Sequence, residues 1–409
     1  MTNAQIRRIR YACYSANVTM SATSCLSPIL FLTFRERYGI SFSLLGFLVL
    51  VNFFTQLLVD LALSFFSHKM NLTKTVKSIP MLALLGFVVY AALPVLFPEH
   101  AFAGLCIGTV IFSFAAGLAE VLISPVIAAL PAKDPDRELS KLHSVYAWGC
   151  VAVVILGAGL LVLVGGKNWI VLPLVISILP AVSTALFAGA KIPEMAKPEK
   201  VSGALKLLCS KKVLISVFCI FLGGASECTM AQWCSGYLEK AVEIPKLWGD
   251  LFGTALFSVA LGLGRSLYAK LGKNAGNALF FGALGAVVCY LAAAFTPFPL
   301  LGLVACGFCG FCVSMLWPGS LIVASGYFPS GGVFLYAMMA AGGDLGASVG
   351  PQLIGVITDF SMENPWLLSL AEKLSLSPEQ MGLKLGLLVG MLFPLAAIPV
   401  YWHIKKKRG

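Results

Sequence analysis

Predominantly apolar runs of about 20 residues recur along the whole chain, and a helix of that length crosses the hydrocarbon core of a bilayer. Short stretches rich in Lys, Arg, Gly and Pro separate them. Twelve runs meet the length: 12–34, 42–67, 78–97, 101–130, 145–165, 169–190, 212–238, 248–270, 277–296, 299–326, 332–360 and 382–404. The longest polar connection, from Lys191 to Lys212 around IPEMAKPEK, follows the sixth. The pattern predicts an all-α membrane protein, with twelve transmembrane helices in two pseudo-symmetric six-helix bundles. Its parts are residues 1–190, a cytoplasmic linker over 191–211, and residues 212–409. A weak internal repeat agrees with this plan. Gly117 and Pro125 in the fourth span share their spacing with Gly310 and Pro318 in the tenth, and Asp60 and Arg265 sit at similar depths of the second and eighth.

Composition points the same way. Of 409 residues, 59% are hydrophobic and 11% charged, whereas soluble proteins carry about 25% charged residues. So few charges cannot coat a water-facing surface of this size, which excludes a cytosolic enzyme, a disordered chain and a small secreted domain. The net charge of +11 would suggest nucleic acid if the bases formed a basic face. Instead, about 21 of the 29 Lys and Arg fall at the termini and in loops on one side of the predicted topology, among them Arg7, Lys69, Lys133, Lys273 and Lys405. That asymmetry places both termini in the cytoplasm of an inner-membrane, multi-pass protein, with the lipid bilayer as partner and no nucleic acid. A monomer is expected. The first span reads as a retained helix rather than a cleaved leader. The twelve cysteines lie almost entirely inside apolar runs and read as buried thiols. The sequence carries no nucleotide loop, metal cluster or nucleophile triad, so no enzyme activity, metal or cofactor is expected, with a proton gradient as the driving force.

An ionisable side chain inside a span costs about 2.5–3.5 kcal/mol by insertion scales and needs a partner, a cavity or a task. Asp60, Glu120, Glu227, Arg265 and Asp344 are of this kind. One Arg cannot neutralise four acids, so some carboxylates face a cavity or carry a proton. Asn52, Gln56 and Asp60 follow at i, i+4, i+8 on one helix face, as do Asp344, Ser348 and Gln352. Such stripes serve either as interhelical hydrogen-bond glue or as pathway lining. Asp344 lies in AAGGDLGASVGP, whose small residues permit close approach, and an Arg265–Asp344 pair is expected there in a gating or structural role.

The seventh span reads GGASECTMAQWCSGYL. Glu227, Gln232 and Trp233 combine carboxylate, amide and ring, the means by which a polyhydroxylated ligand is held. Tyr237 reads as an interfacial anchor. On an ideal helix Glu227 and Trp233 point about 120° apart, so their joint use predicts a distortion of the span near 228–234. The first span adds Asn17 and Ser21, and the tenth adds Trp317 before Pro318. The candidate substrate-binding or proton-coupling residues are thus Glu120, Glu227, Asn17, Asn52, Gln56, Asp60, Gln232, Trp233 and Trp317.

Twelve spans in two halves with a long central loop resemble the major facilitator superfamily. Within it, AAGLAEVLISPVIAALP in the fourth span is similar to the glycine, glutamate, asparagine-proline run of the fucose-galactose-proton symporter family. Glu120 falls on that family's functional glutamate, and Ser124 stands where the asparagine is usual. The seventh-span run, GLGRSLYAKLG with Arg265, and LHSVYAWG resemble the same permeases. The first span departs from them by carrying no acid, and the loop signature after the second is reduced to SHKMNLTK. The resemblance implies a proton-coupled symporter of a sugar or sugar-like small solute, working by alternating access; Asp60 is the candidate to replace the absent acid. The alternative is a proton-antiport exporter of amphipathic drugs or metabolites, which acids in a Phe-rich and Met-rich cavity would also suit.

Overall fold

The computed structural model describes residues 1–66, 69–131, 135–193, 210–271, 274–328 and 332–408. Most of the linker expected over 191–211 lies outside them, as do Lys133 and Lys273. The described residues are helical, without strands. Eleven helices among them are long and apolar enough to cross a membrane. The span expected over 332–360 lies in a continuous helix, Gly332–Glu363, 32 residues long. The exterior is apolar: Leu163 is 84% exposed, Leu156 71% and Leu300 74%. Such side chains are stable there only against lipid.

In chain order the helices are α1 (Asn3–Tyr38), α2 (Phe42–Phe66), α3 (Leu72–Leu96), α4 (Ala101–Ala128), α5 (Pro135–Val164), α6 (Val171–Ile176) and α7 (Ile178–Ala188). The second half continues with α8 (Lys211–Lys240), α9 (Lys246–Gly249), α10 (Leu256–Leu271), α11 (Ala275–Phe295), α12 (Pro299–Val313), α13 (Leu316–Tyr327), α14 (Gly332–Glu363), α15 (Pro365–Lys373) and α16 (Pro378–Arg408). Three predicted spans are interrupted. The sixth is divided at Ser177 into α6 and α7, the eighth winds as a π-helix over Asp250–Ala255, and the tenth breaks at Ser314 and Met315. The seventh is not interrupted. α8 runs unbroken from Lys211 to Lys240, so the distortion expected near 228–234 is absent from this structure. The segment holds neither Gly nor Pro, and nothing weakens its hydrogen-bond ladder.

Contacts divide the chain into two compact units, Met1–Ser27 with Phe54–Val201, and Pro28–Phe53 with Ser202–Gly409. The first unit is centred on α3 and α4, where Phe87 and Phe112 meet with ring centroids 5.3 Å apart. Its core continues through Ile9, Ala16, Val59, Leu118, Leu122 and Phe187. In the second unit α8 packs along α14, and α16 along α11. Buried phenols there each donate to a main-chain carbonyl: Tyr237 to Ala293, Tyr290 to Ser226 and Tyr401 to Cys219. Tyr237 is therefore an interior residue and not the interfacial anchor expected, because a phenol in a dry interior needs an acceptor.

Candidate functional site

In the first unit, α2 carries Asp60 and α4 carries Glu120. Asp60 is 1% exposed, and a carboxylate oxygen of each lies within 4.8 Å of the other. The helices approach closely because Gly117 leaves no room for a side chain: a Cβ there would lie 2.9 Å from Val59 and 3.2 Å from the backbone of Gln56. Gln56, one turn before Asp60, is buried on the same face. Asn17 has a different task. Its amide donates to the Leu142 carbonyl at 2.7 Å, and Ser21 one turn on donates to that of Tyr146 at 2.8 Å. The two bind α1 to α5.

The second unit places Glu227 of α8 against Arg265 of α10. The Nη2 of Arg265 lies 3.0 Å and 3.1 Å from the two carboxylate oxygens, and its Nε donates to the Ser314 carbonyl at 3.1 Å. That carbonyl is available because Pro318, four residues on, has no N–H to give it. The break between α12 and α13 thus aims the guanidinium. The side chains are 14% (Glu227) and 37% (Arg265) exposed, so the pair is sheltered without being sealed. This corrects the expected Arg265–Asp344 pair. Arg265 is tethered at Ser314, and from there the longer Glu227 side chain meets it, while Asp344 is buried on α14. Trp317, just past the break, lies against Gly224 and Gly343, where added Cβ atoms would come within 3.0 Å and 2.4 Å of its ring. It thereby packs against both α8 and α14.

Trp233 is enclosed. It is 1% exposed, its Nε1 donates to the Pro351 carbonyl at 2.8 Å, and the rings of Phe31 and Phe42 lie 5.1 Å and 6.0 Å from it. With both its polar atom and its faces used, it presents no stacking surface to a solute in this structure, contrary to expectation. Gln232 and Asn52 are also buried, at 8% and 5% exposure.

Several charged residues were missed by sequence reasoning. Asp359 of α14 caps α2: one carboxylate oxygen accepts from the Phe42 N–H at 3.1 Å, the other from the Ser43 N–H at 2.7 Å and the Ser43 hydroxyl. The contact is tight, since a Cβ on Gly355 would lie 2.3 Å from the Phe42 carbonyl. Nearby, Arg35 pairs with Glu379 at 2.6 Å with its guanidinium 4.0 Å over the Phe42 ring, and Lys240 pairs with Glu36 at 3.3 Å. Asp250, 1% exposed, accepts from Ser235 and pairs with Lys246 at 3.2 Å. The i, i+4 spacing of Lys246 and Asp250 was the one visible signal for these. The Asp359 cap and the Arg35–Glu379 and Lys240–Glu36 pairs join residues more than 200 positions apart.

The pattern of the Major Facilitator Superfamily matches residues 12–351. The chain belongs to that family and is a multi-pass membrane transporter of the secondary kind. No curated protein sequence matches it. Among solved structures it is similar to a D-xylose–proton symporter (TM-score 0.76, 14% identity, 97% of each chain covered). It is also similar to a nucleoside transporter (0.74, 11% identity, 98% of this chain and 99% of that one). The fucose–proton symporter of E. coli matches at 0.58 and 15% identity, over 95% of this chain and 98% of that one. At such identities the likeness is one of fold.

Proposed function

We propose that this protein is a symporter that couples proton entry to the uptake of a small polar solute, a sugar or sugar-like compound, by alternating access in a cytoplasmic membrane. The observation that carries this reading is the Asp60–Glu120 pair. Two carboxylates within 4.8 Å on neighbouring helices repel each other when both are ionised, so a proton bound to either relieves that repulsion. Gaining and losing that proton changes the charge of a buried site by one unit, which is the property a coupling site needs. The sheltered Glu227–Arg265 pair supplies a carboxylate and a fork of N–H donors for solute hydroxyls. Fold likeness to xylose–proton and fucose–proton symporters supports the same substrate class. Both termini are cytoplasmic on this reading, and the working unit is the monomer.

The test is uptake into proteoliposomes under an imposed proton gradient, with a panel of labelled sugars beside a panel of lipophilic cations. A sugar should accumulate against its gradient in the native protein. Glu120→Gln and Asp60→Asn keep shape but cannot titrate, and should abolish accumulation while sparing solute exchange in at least one of the two. Normal accumulation in both variants would sink the coupling assignment. Proton-driven movement of lipophilic cations alone would favour an exporter.

A further inference from the structure

A groove of about 850 Å³ opens in the second unit where the ends of α8, α11, α15 and α16 converge. Its volume lies in the range of ligand pockets, roughly 300–1,000 Å³. The floor is apolar, with Leu367, Leu370, Leu376, Met381, Leu385 and Leu388 among its residues. Around it the surface is also apolar, with Phe295 and Trp366 each 70% exposed and Phe298 68%. A groove of this kind at a helix end faces the bilayer interface, where Trp is a common anchor.

Two features set it apart from an ordinary gap between helices. Lys384 enters it, and its ammonium donates to the carbonyls of Ala294 at 3.1 Å and Thr296 at 3.2 Å. Among the described residues it forms no ion pair, so its ammonium is met by carbonyl oxygens and not by a carboxylate. The second feature is backbone strain. Glu243 (φ 59°) and Ser375 (φ 53°) are the only non-glycine residues with positive φ among those described, and both line this groove. Such conformations persist where the surrounding structure holds them, and they gather at binding sites. Glu243 is exposed at the rim, where it accepts from the Gln380 amide at 3.0 Å. Gln380 lies one helical turn before Lys384.

We infer that the groove binds one phospholipid bearing an amine head group, a phosphatidylethanolamine. Its acyl chain lies along Leu370, Leu385 and Leu388, its phosphate meets Lys384, and its ammonium turns to Glu243. The charges argue for this lipid. Lys384 lacks an anion and a phosphate diester supplies it as a charge-assisted hydrogen bond. Glu243 opposes a second negative charge and favours a head group that carries its own cation. The inference is independent of which solute is transported.

The test uses the full-length protein stripped of lipid, titrated with phosphatidylethanolamine or phosphatidylglycerol in mixed micelles, and read by thermal shift and native mass spectrometry. A lipid that binds only the native state raises apparent stability. Phosphatidylethanolamine should leave one retained adduct and bind more tightly than phosphatidylglycerol. Lys384→Gln should weaken it by about tenfold, with Lys384→Arg restoring it. Glu243→Gln should erase the preference between the two lipids. Leu370→Trp, which fills the floor, should remove the adduct while the lipid-free melting temperature stays put. Equal retention in Lys384→Gln and native protein, or no preference between the lipids in the native protein, would overturn the inference.

Discussion

The Arg265–Glu227 contact can be broken from either end, and its geometry fixes what each break should cost. Removing one partner of a fully buried ion pair costs about 3–5 kcal/mol, because the other charge is stranded. An exposed pair contributes about 0–1 kcal/mol. Here the acid is 14% exposed and the base 37%, so water screens the guanidinium more than the carboxylate. The coupling should fall between the limits, at about 2 kcal/mol. Glu227→Gln leaves Arg265 held by Ser314 but without a counter-charge. Arg265→Met leaves the carboxylate stranded, and the double variant strands nothing. Each single change should then destabilise by about 2 kcal/mol, and the double by little more than either. The assay is a double-mutant cycle on reversible unfolding in mixed micelles, followed by circular dichroism as the fraction of denaturing detergent is raised. Costs that add to within about 0.5 kcal/mol would show that the two residues act separately and would refute the reasoning. A parallel cycle of Arg265 with Asp344 should give a smaller coupling, since no ion pair joins them.

Two further outcomes follow from the second unit. Trp233→Phe should cost about 1 kcal/mol for the lost bond to the Pro351 carbonyl, and Trp233→Ala about 3–5 kcal/mol for the emptied ring site, both in the same unfolding assay. Solute affinity of the folded fraction should be unchanged, and a fall in affinity at full folded yield would return Trp233 to the solute. Asp359→Ala removes the cap from α2, worth about 1 kcal/mol. A cysteine introduced at Ser41 should then react several-fold faster with a water-soluble maleimide, and an unchanged rate would show that the cap does not hold this end shut.

The helices were legible because crossing a bilayer demands a length and an apolar composition that the chain displays one segment at a time. Helix rotation was not. In water a polar stripe shows which face looks outward, but in lipid the outward face is as apolar as the packed one. The sequence could therefore suggest Asp344 as the partner of Arg265 without showing that Glu227 is the one it meets. The decision rests on Pro318, whose missing N–H frees a carbonyl four residues earlier and anchors Arg265. The proline was visible, but the residue that would take up the carbonyl was not. The matched Gly and Pro spacing of the fourth and tenth spans does not fix their continuity, for α4 runs through Pro125 unbroken whereas the tenth span divides at Ser314.

Polar residues inside the spans separate by what they meet, and this narrows where chemistry can occur. Asn17 donates to the Leu142 carbonyl, Trp233 to Pro351 and Tyr237 to Ala293. A side chain bonded to the main chain has its partner fixed by the fold, and losing the bond costs stability rather than function. Carboxylates that meet another titratable or charged side chain are different, because protonating or displacing one member changes the charge left on the other. Asp60 with Glu120, and Glu227 with Arg265, are such pairs within the spans, and each joins neighbouring helices of a single unit. Asp250 is also charged and paired, but it lies within one turn of its partner Lys246 and accepts from Ser235. Ser235 lies on α8 and Lys246 opens α9, which makes Asp250 a clasp between α8 and the π-helical turn. On the proposed coupling reading, the two interhelical pairs are where a proton or a solute would exert force on helix packing, and substitutions there should alter transport out of proportion to their cost in stability.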